Sequence, residues 1–111
     1  MILEPVTIIA RIVPRPGQTV HLRGVLMAMV GPTNREAGCV VYNLHEHPGK
    51  NGPTFSFYEV WQSQAALDEH MKTGHVRSFT DRLKELVEGE IEIERMRLLT
   101  DVLGAPPRSS I

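Results

Sequence analysis

Four side chains able to move protons or donate hydrogen bonds, Glu59, Trp61, His70 and His75, fall within 17 residues of one another in the stretch FYEVWQSQAALDEHMKTGHVRSF (57–79). Histidine changes charge near neutral pH and suits the removal of a proton from a weakly acidic substrate. A glutamate nearby can orient an imidazole, or act as the base itself once burial raises its pKa. The indole N–H of tryptophan only donates, so it can steady an oxyanion. The plainer reading makes Trp61 a core residue, as large aromatics are by default. On that reading His70 and His75 are polar residues beside a helix break.

Other residues invite the same weighing. His45 and His47 stand two apart in CVVYNLHEH (39–47) and could chelate zinc or nickel with Glu59 or His70. No helical histidine pair or cysteine set accompanies them, so no metal and no other cofactor is expected. Cys39 is the only cysteine; it excludes an internal disulfide and fits a reducing compartment. No histidine or cationic cluster flanks it, so it reads as inert. Glu90, Glu92 and Glu94 alternate as a solvated or dimer-rim strand face would.

The elements that must position these groups follow from periodicity and turn chemistry. Residues 6–13, VTIIARIV, are rich in β-branched types and predict a strand, which PRPG (14–17) ends. From Gln18 to Val30, Val20, Leu22, Val25, Leu26, Met29 and Val30 recur at helical spacing, with either a stop at Gly31-Pro32 or a short continuation through TNREA (33–37). Residues 39–62 read as a hairpin around the turn PGKNGP (48–53). Ser63 is a fitting N-cap for a helix over 64–72, with Gly74 at its C′ position. A second helical stripe, Val76, Phe79, Leu83, Leu86 and Val87, runs to Gly89, and the alternation of EIEIERMRLL predicts a last strand. Residues 1–99 then form one domain, and 100–111 is a tail, loose or reaching a neighbour.

The order β-α-β-β-α-β predicts a ferredoxin-like α+β domain, an antiparallel sheet with helices on one face. Ile9 and Val13 would lie on the other face, and an apolar sheet face left open calls for a partner. Two such sheets packed face to face give a homodimer. Within the hairpin, side chains two apart share a face. Phe55, Phe57, Glu59 and Trp61 form one set, and Cys39, Val41, Asn43, His45 and His47 another. If the two sets share a side, Asn43, His45, Glu59 and Trp61 surround one patch. Five residues on an ideal helix separate His70 and His75 by roughly 140°, so the break at Gly74 must return both to a common space.

Bulk properties narrow the function. Twelve basic against thirteen acidic residues leave a net charge of −1, which gives no electrostatic reason to bind nucleic acid or an anionic membrane surface. The apolar start MILEPVTIIARIV has no basic region before it and is interrupted by Pro5, so neither a signal peptide nor a membrane span is expected. A cytoplasmic domain is the expectation.

The pattern Glu59-x-Trp61, Ala66-Leu67, His70-x4-His75-x3-Phe79 resembles the signature of the antibiotic biosynthesis monooxygenase domain family, which includes small quinol monooxygenases. RIVPRPG (11–17) and REAGCVVY (35–42) resemble the same family in the same order, so the likeness spans residues 6–99. It implies a dimeric α/β barrel of ferredoxin-like protomers that binds small, flat aromatic molecules between sheet and helices. It also implies oxidation of quinols or polycyclic phenols by O2 without flavin or metal. Trp61, Asn43, His70 and His75 match the family's pocket positions. Ala10 replaces the asparagine of the haem-degrading branch, and His70 replaces that branch's helix tryptophan. Phe57 stands where anthrone-oxidising members use an asparagine.

Such chemistry needs a base, a donor for the oxyanion and a dry pocket, because O2 takes an electron readily only from a deprotonated, electron-rich substrate. The expected assignment is His75 or His70 as base, with Glu59 orienting a histidine or replacing it. Asn43 and Trp61 would donate, while His45, Phe57, Met71 and Phe79 would line the substrate. The expected partners are a small aromatic substrate, O2 and a second copy of the chain. A non-catalytic binding or stress-response module, and a proton-transfer isomerase or decarboxylase, fit the same residues.

Overall fold

A computed structural model describes residues 4–100. It contains β1 (Val6–Ile12), α1 (Thr19–Asn34), β2 (Cys39–His47), β3 (Thr54–Trp61), α2 (Gln64–Met71), α3 (Gly74–Thr80), α4 (Leu83–Leu86) and β4 (Glu92–Met96). The sheet order is β2-β3-β1-β4, and every neighbouring pair is antiparallel. This is the ferredoxin-like α+β arrangement. Most of the tail expected at 100–111 lies outside the described residues.

The core forms where apolar strand residues of one parity meet the helices. Val6, Ile8, Ala10 and Ile12 of β1 pair across to Trp61, Glu59, Phe57 and Phe55 of β3, and all eight are buried. Leu22, Leu26, Met29 and Thr33 press on them from α1 at the spacing of one helical face. Val20, expected on that stripe, is 78% exposed because it falls off this face.

Two boundaries differ from expectation, and a third falls on the later of two expected ends. Helix α1 takes the longer of its two expected ends and continues through Pro32 to Asn34. Proline fits helical φ and forfeits one hydrogen bond, and here it stands in the last turn, beside the fully buried Thr33. Gly74 is not a left-handed C′ residue. Lys72 caps α2, and Gly74 opens α3 behind the N-cap Thr73, whose hydroxyl accepts from Val76 N. The helix expected from His75 to Val87 is two, α3 and α4, although Val76, Phe79, Leu86 and Val87 are all buried as the stripe required.

One glycine is fixed by a close approach. A Cβ on Gly38 would lie 2.2 Å from the Cβ of Ala66, so the turn before β2 meets the first turn of α2 with no room for a side chain. Ser63 caps α2 as expected, its hydroxyl accepting from Ala66 N at 3.2 Å.

Candidate functional site: two imidazoles on one carboxylate

The extension of α1 decides where the site lies. Past Asn34 the chain is held by Arg35 N to Pro32 O and Glu36 N to Thr33 O, which delivers Glu36 beneath the helix pair α2–α3. There Glu36 Oε2 accepts from His70 Nδ1 at 2.8 Å and from His75 Nε2 at 2.7 Å. His70 is on the last turn of α2, and His75 on the first turn of α3. The break at Lys72–Thr73 turns the second histidine back toward the first. Thr73 closes it, donating from Oγ1 to His70 O at 2.7 Å.

All three side chains are withdrawn from water: His70 is 5%, Glu36 16% and His75 22% exposed. Among the described residues Glu36 forms no ion pair with lysine or arginine. Burial lowers the pKa of His70, while the Glu36 carboxylate opposes that shift. His70 is also packed by aromatic rings, with Trp61 at 4.5 Å and Tyr42 at 5.5 Å between centroids. Trp61 is fixed in turn, because its Nε1 donates to Glu59 Oε1 at 2.9 Å. Burial raises the pKa of Glu59, against the pull of that indole N–H.

Sequence reasoning missed Glu36 and Tyr42. Glu36 follows a proline in a polar run, where a charge normally means solvent. Tyr42 was legible: in β2, Tyr42 and Leu44 are the apolar alternates, and Asn43, His45 and His47 the polar ones. The register puts Tyr42 opposite Glu59 and Leu44 opposite Phe57, and Tyr42 stacks on Phe57 at 4.5 Å. A bulge between Cys39 and Val41 returns Cys39 to the Trp61 face.

Asn43 and His45 therefore lie on the outer sheet face, across the sheet from Glu59 and Trp61, and the four do not form one patch. The same parity keeps His45 and His47 from meeting Glu59 or His70 at a metal; His47 Nε2 instead lies 2.7 Å from Ser56 Oγ. Met71, expected against substrate, is 56% exposed. Phe57 and Phe79 are buried. Burial, with nearby Glu36 and Glu59, pushes the Cys39 thiol up to about 11, so it stays protonated at neutral pH.

Two hollows flank these residues. A groove of about 740 Å³ runs between α1 and β2, walled by Val30, Tyr42, Leu44 and Phe55, with the Arg23–Glu46 pair beside it. Asn43 and His45 border it from the strand edge. A smaller hollow of about 260 Å³ lies between α1 and α3, where His75 meets Met29, Phe79, Ser78 and Arg82. The donor atoms of Glu36, His70 and His75 lie within 4.8 Å of one another, so this cluster is also the place in the described residues where a metal could be held.

The family profile described as antibiotic biosynthesis monooxygenase matches residues 5–82. A Mycobacterium tuberculosis protein named "Putative monooxygenase Rv0793" is 38% identical over 84 residues, covering 76% of this chain and 81% of that protein. The solved structure of Rv0793 superposes with a TM-score of 0.79 at 34% identity, over 88% of this chain and 98% of that one. The crystal structure of PA3566 from Pseudomonas aeruginosa superposes with a TM-score of 0.82 at 32% identity, covering 90% and 99%. By profile, sequence and fold alike, the chain belongs to the antibiotic biosynthesis monooxygenase family.

Proposed function

We propose that the chain is a monooxygenase that oxidises a small quinol-like or phenolic aromatic with O2, using no flavin or metal, and that His75 is its base. The observation that carries this reading is the pair of imidazoles sharing Glu36 Oε2. A carboxylate accepts and does not donate, so His70 Nδ1 and His75 Nε2 carry the protons. The outward nitrogens, His70 Nε2 and His75 Nδ1, are left with lone pairs that can take a substrate proton. His75 is the more accessible of the two and borders the smaller hollow.

That hollow brings the required parts together. Met29 and Phe79 supply apolar walls, and Arg82, ion-paired with Glu85, borders the opening. Its volume suits a single aromatic ring. His75 removes the phenolic proton, and the anion passes one electron to O2. Recombination of the radical pair forms a carbon–oxygen bond. One oxygen atom stays on the ring as the second leaves in water, so a benzoquinol and O2 give a hydroxyquinone and H2O. Trp61 and Glu59 act by holding His70 in place.

The larger groove favours a second reading. It is mostly apolar, and none of Glu36, His70 and His75 lines it. A ligand held there without turnover would make the chain a binding module. Oxygen uptake with a panel of hydroquinones and anthrones, in the presence of a chelator, decides between them. The oxygenase reading expects uptake that His75→Ala lowers on the order of a hundredfold or more. No uptake, together with ligand-dependent quenching of the Trp61 fluorescence, would leave the binding module.

We also infer a homodimer and a cytoplasmic setting. The outer sheet face carries the apolar side chains of Ile9, Val41, Tyr58 and Met96, each left partly open and able to pack against a second copy. No helix among the described residues is long and apolar enough to cross a membrane.

A further inference from the structure

We propose that Glu36 Oε2, His70 Nδ1 and His75 Nε2 form a site for one divalent first-row transition ion such as zinc or cobalt, and that filling it silences the histidine base. Two imidazoles and one carboxylate are a recurrent three-ligand set for such ions. Here the set comes from three separate segments: the turn after α1, the end of α2 and the start of α3. The oxygen already stands 2.7 and 2.8 Å from the two nitrogens. Ligands about 2.0–2.2 Å from a common ion subtend nearly a right angle at that spacing. That is the arrangement of three ligands on one face of an octahedron. The two nitrogens, within 4.8 Å of each other, must close to roughly 3 Å to complete it, which rotation of the less buried His75 ring and its short helix can supply.

Charge and surroundings point the same way. Glu36 is largely buried, and its ion-pair partners among the described residues are the two histidines alone. When both are neutral, nothing in the cluster offsets the carboxylate's charge, and a dication would. His70 is already oriented by Trp61 and Tyr42, which lowers the ordering cost of binding. His75 also borders the hollow between α1 and α3.

Occupation has a chemical consequence that rests on the reading of His75 as base. The ion needs the lone pairs of the inward nitrogens, so each ring proton must move to the outward nitrogen. The outward nitrogen then donates and can no longer take a proton from substrate. Metal binding and base catalysis use opposite tautomers of the same rings, and zinc is expected to act as an inhibitor competing with the base.

The test is a titration of the chelator-treated full-length protein with Zn2+ by calorimetry and with Co2+ by its visible absorption. Glu36→Gln, His75→Gln and the control His45→Ala/His47→Ala are titrated alongside. One ion per chain is expected, weakened at least on the order of tenfold by Glu36→Gln and by His75→Gln and unchanged in the control. In the wild-type protein, imidazole 15N spectra with Zn2+ should show coordination at Nδ1 of His70 and Nε2 of His75, which reads the site even where a variant folds poorly. No binding tighter than about 0.1 mM, or binding lost in the control instead, overturns the site. None of these readouts needs turnover, so they stand or fall apart from the oxygenase reading. Oxygen uptake undiminished in zinc-saturated protein would overturn the silencing.

Discussion

Glu59 is a carboxylate enclosed between β1 and β2, with the indole N–H of Trp61 as its hydrogen-bond donor. Burial raises its pKa above the ordinary 4.5, so the fold prefers the protonated form. The stability this preference supplies is present below 4.5 and is lost as pH rises through the folded value. His70 works in the opposite sense: its pKa lies below 6.5, and stability falls as pH drops from there toward the folded value. Glu59→Gln keeps a carbonyl oxygen for Trp61 and removes the titration. Urea denaturation from pH 4.5 to 7 should find this variant at least as stable as the parent at pH 7, without the parent's decline as Glu59 ionises. A variant markedly weaker at pH 7 would show that the charged form is held by something other than Trp61. Glu59 and Trp61 were readable as a pair because they sit two apart on a strand of plain alternation. Glu36 was not, since its partners lie 34 and 39 residues away and no local pattern distinguishes a turn glutamate that folds inward.

The elements matter here through their ends. Element order and the α+β class were legible because most segments carry a clear period and several connections, after β1, α1, β2 and α4, carry Pro or Gly. What periodicity does not encode is a one-residue bulge in β2, or whether a helix absorbs a proline. Both depend on tertiary packing, and together they decided which residues meet. The break between α2 and α3 is the element on which the histidine pair depends. Thr73 holds it from both sides, accepting from Val76 N and donating to His70 O. Thr73→Ala is expected to cost about 1 kcal/mol of stability, the usual worth of an N-cap. It should also loosen His75 more than His70, which keeps its ring contacts with Trp61 and Tyr42. Thermal unfolding measures the first effect, and imidazole NMR line widths the second. Equal broadening of both rings would mean that the cap does not control their pairing.

At the scale of the whole molecule, the sheet has one face covered by helices and one that is not. Tyr58 stands centrally on the uncovered face, opposite Ile9 on one side and Asn43 on the other. A charge placed there should leave the fold alone, because it points away from the core. Tyr58→Arg is therefore expected to convert a dimer to a monomer in sedimentation at micromolar concentration, with little change in circular dichroism. A parent protein that sediments as a monomer would remove the dimer outright. The contact between Gly38 and Ala66 has a different kind of consequence, one written in descent rather than in the single molecule. With 2.2 Å between one Cβ and the place of the other, the two positions share a single allowance of space. Gly38→Ala alone should cost about 1–3 kcal/mol through overpacking, and Gly38→Ala with Ala66→Gly should recover part of it. Lineages of this family should then exchange bulk between the two positions as a pair, and those that gained it at both would need α2 to lie further from the turn.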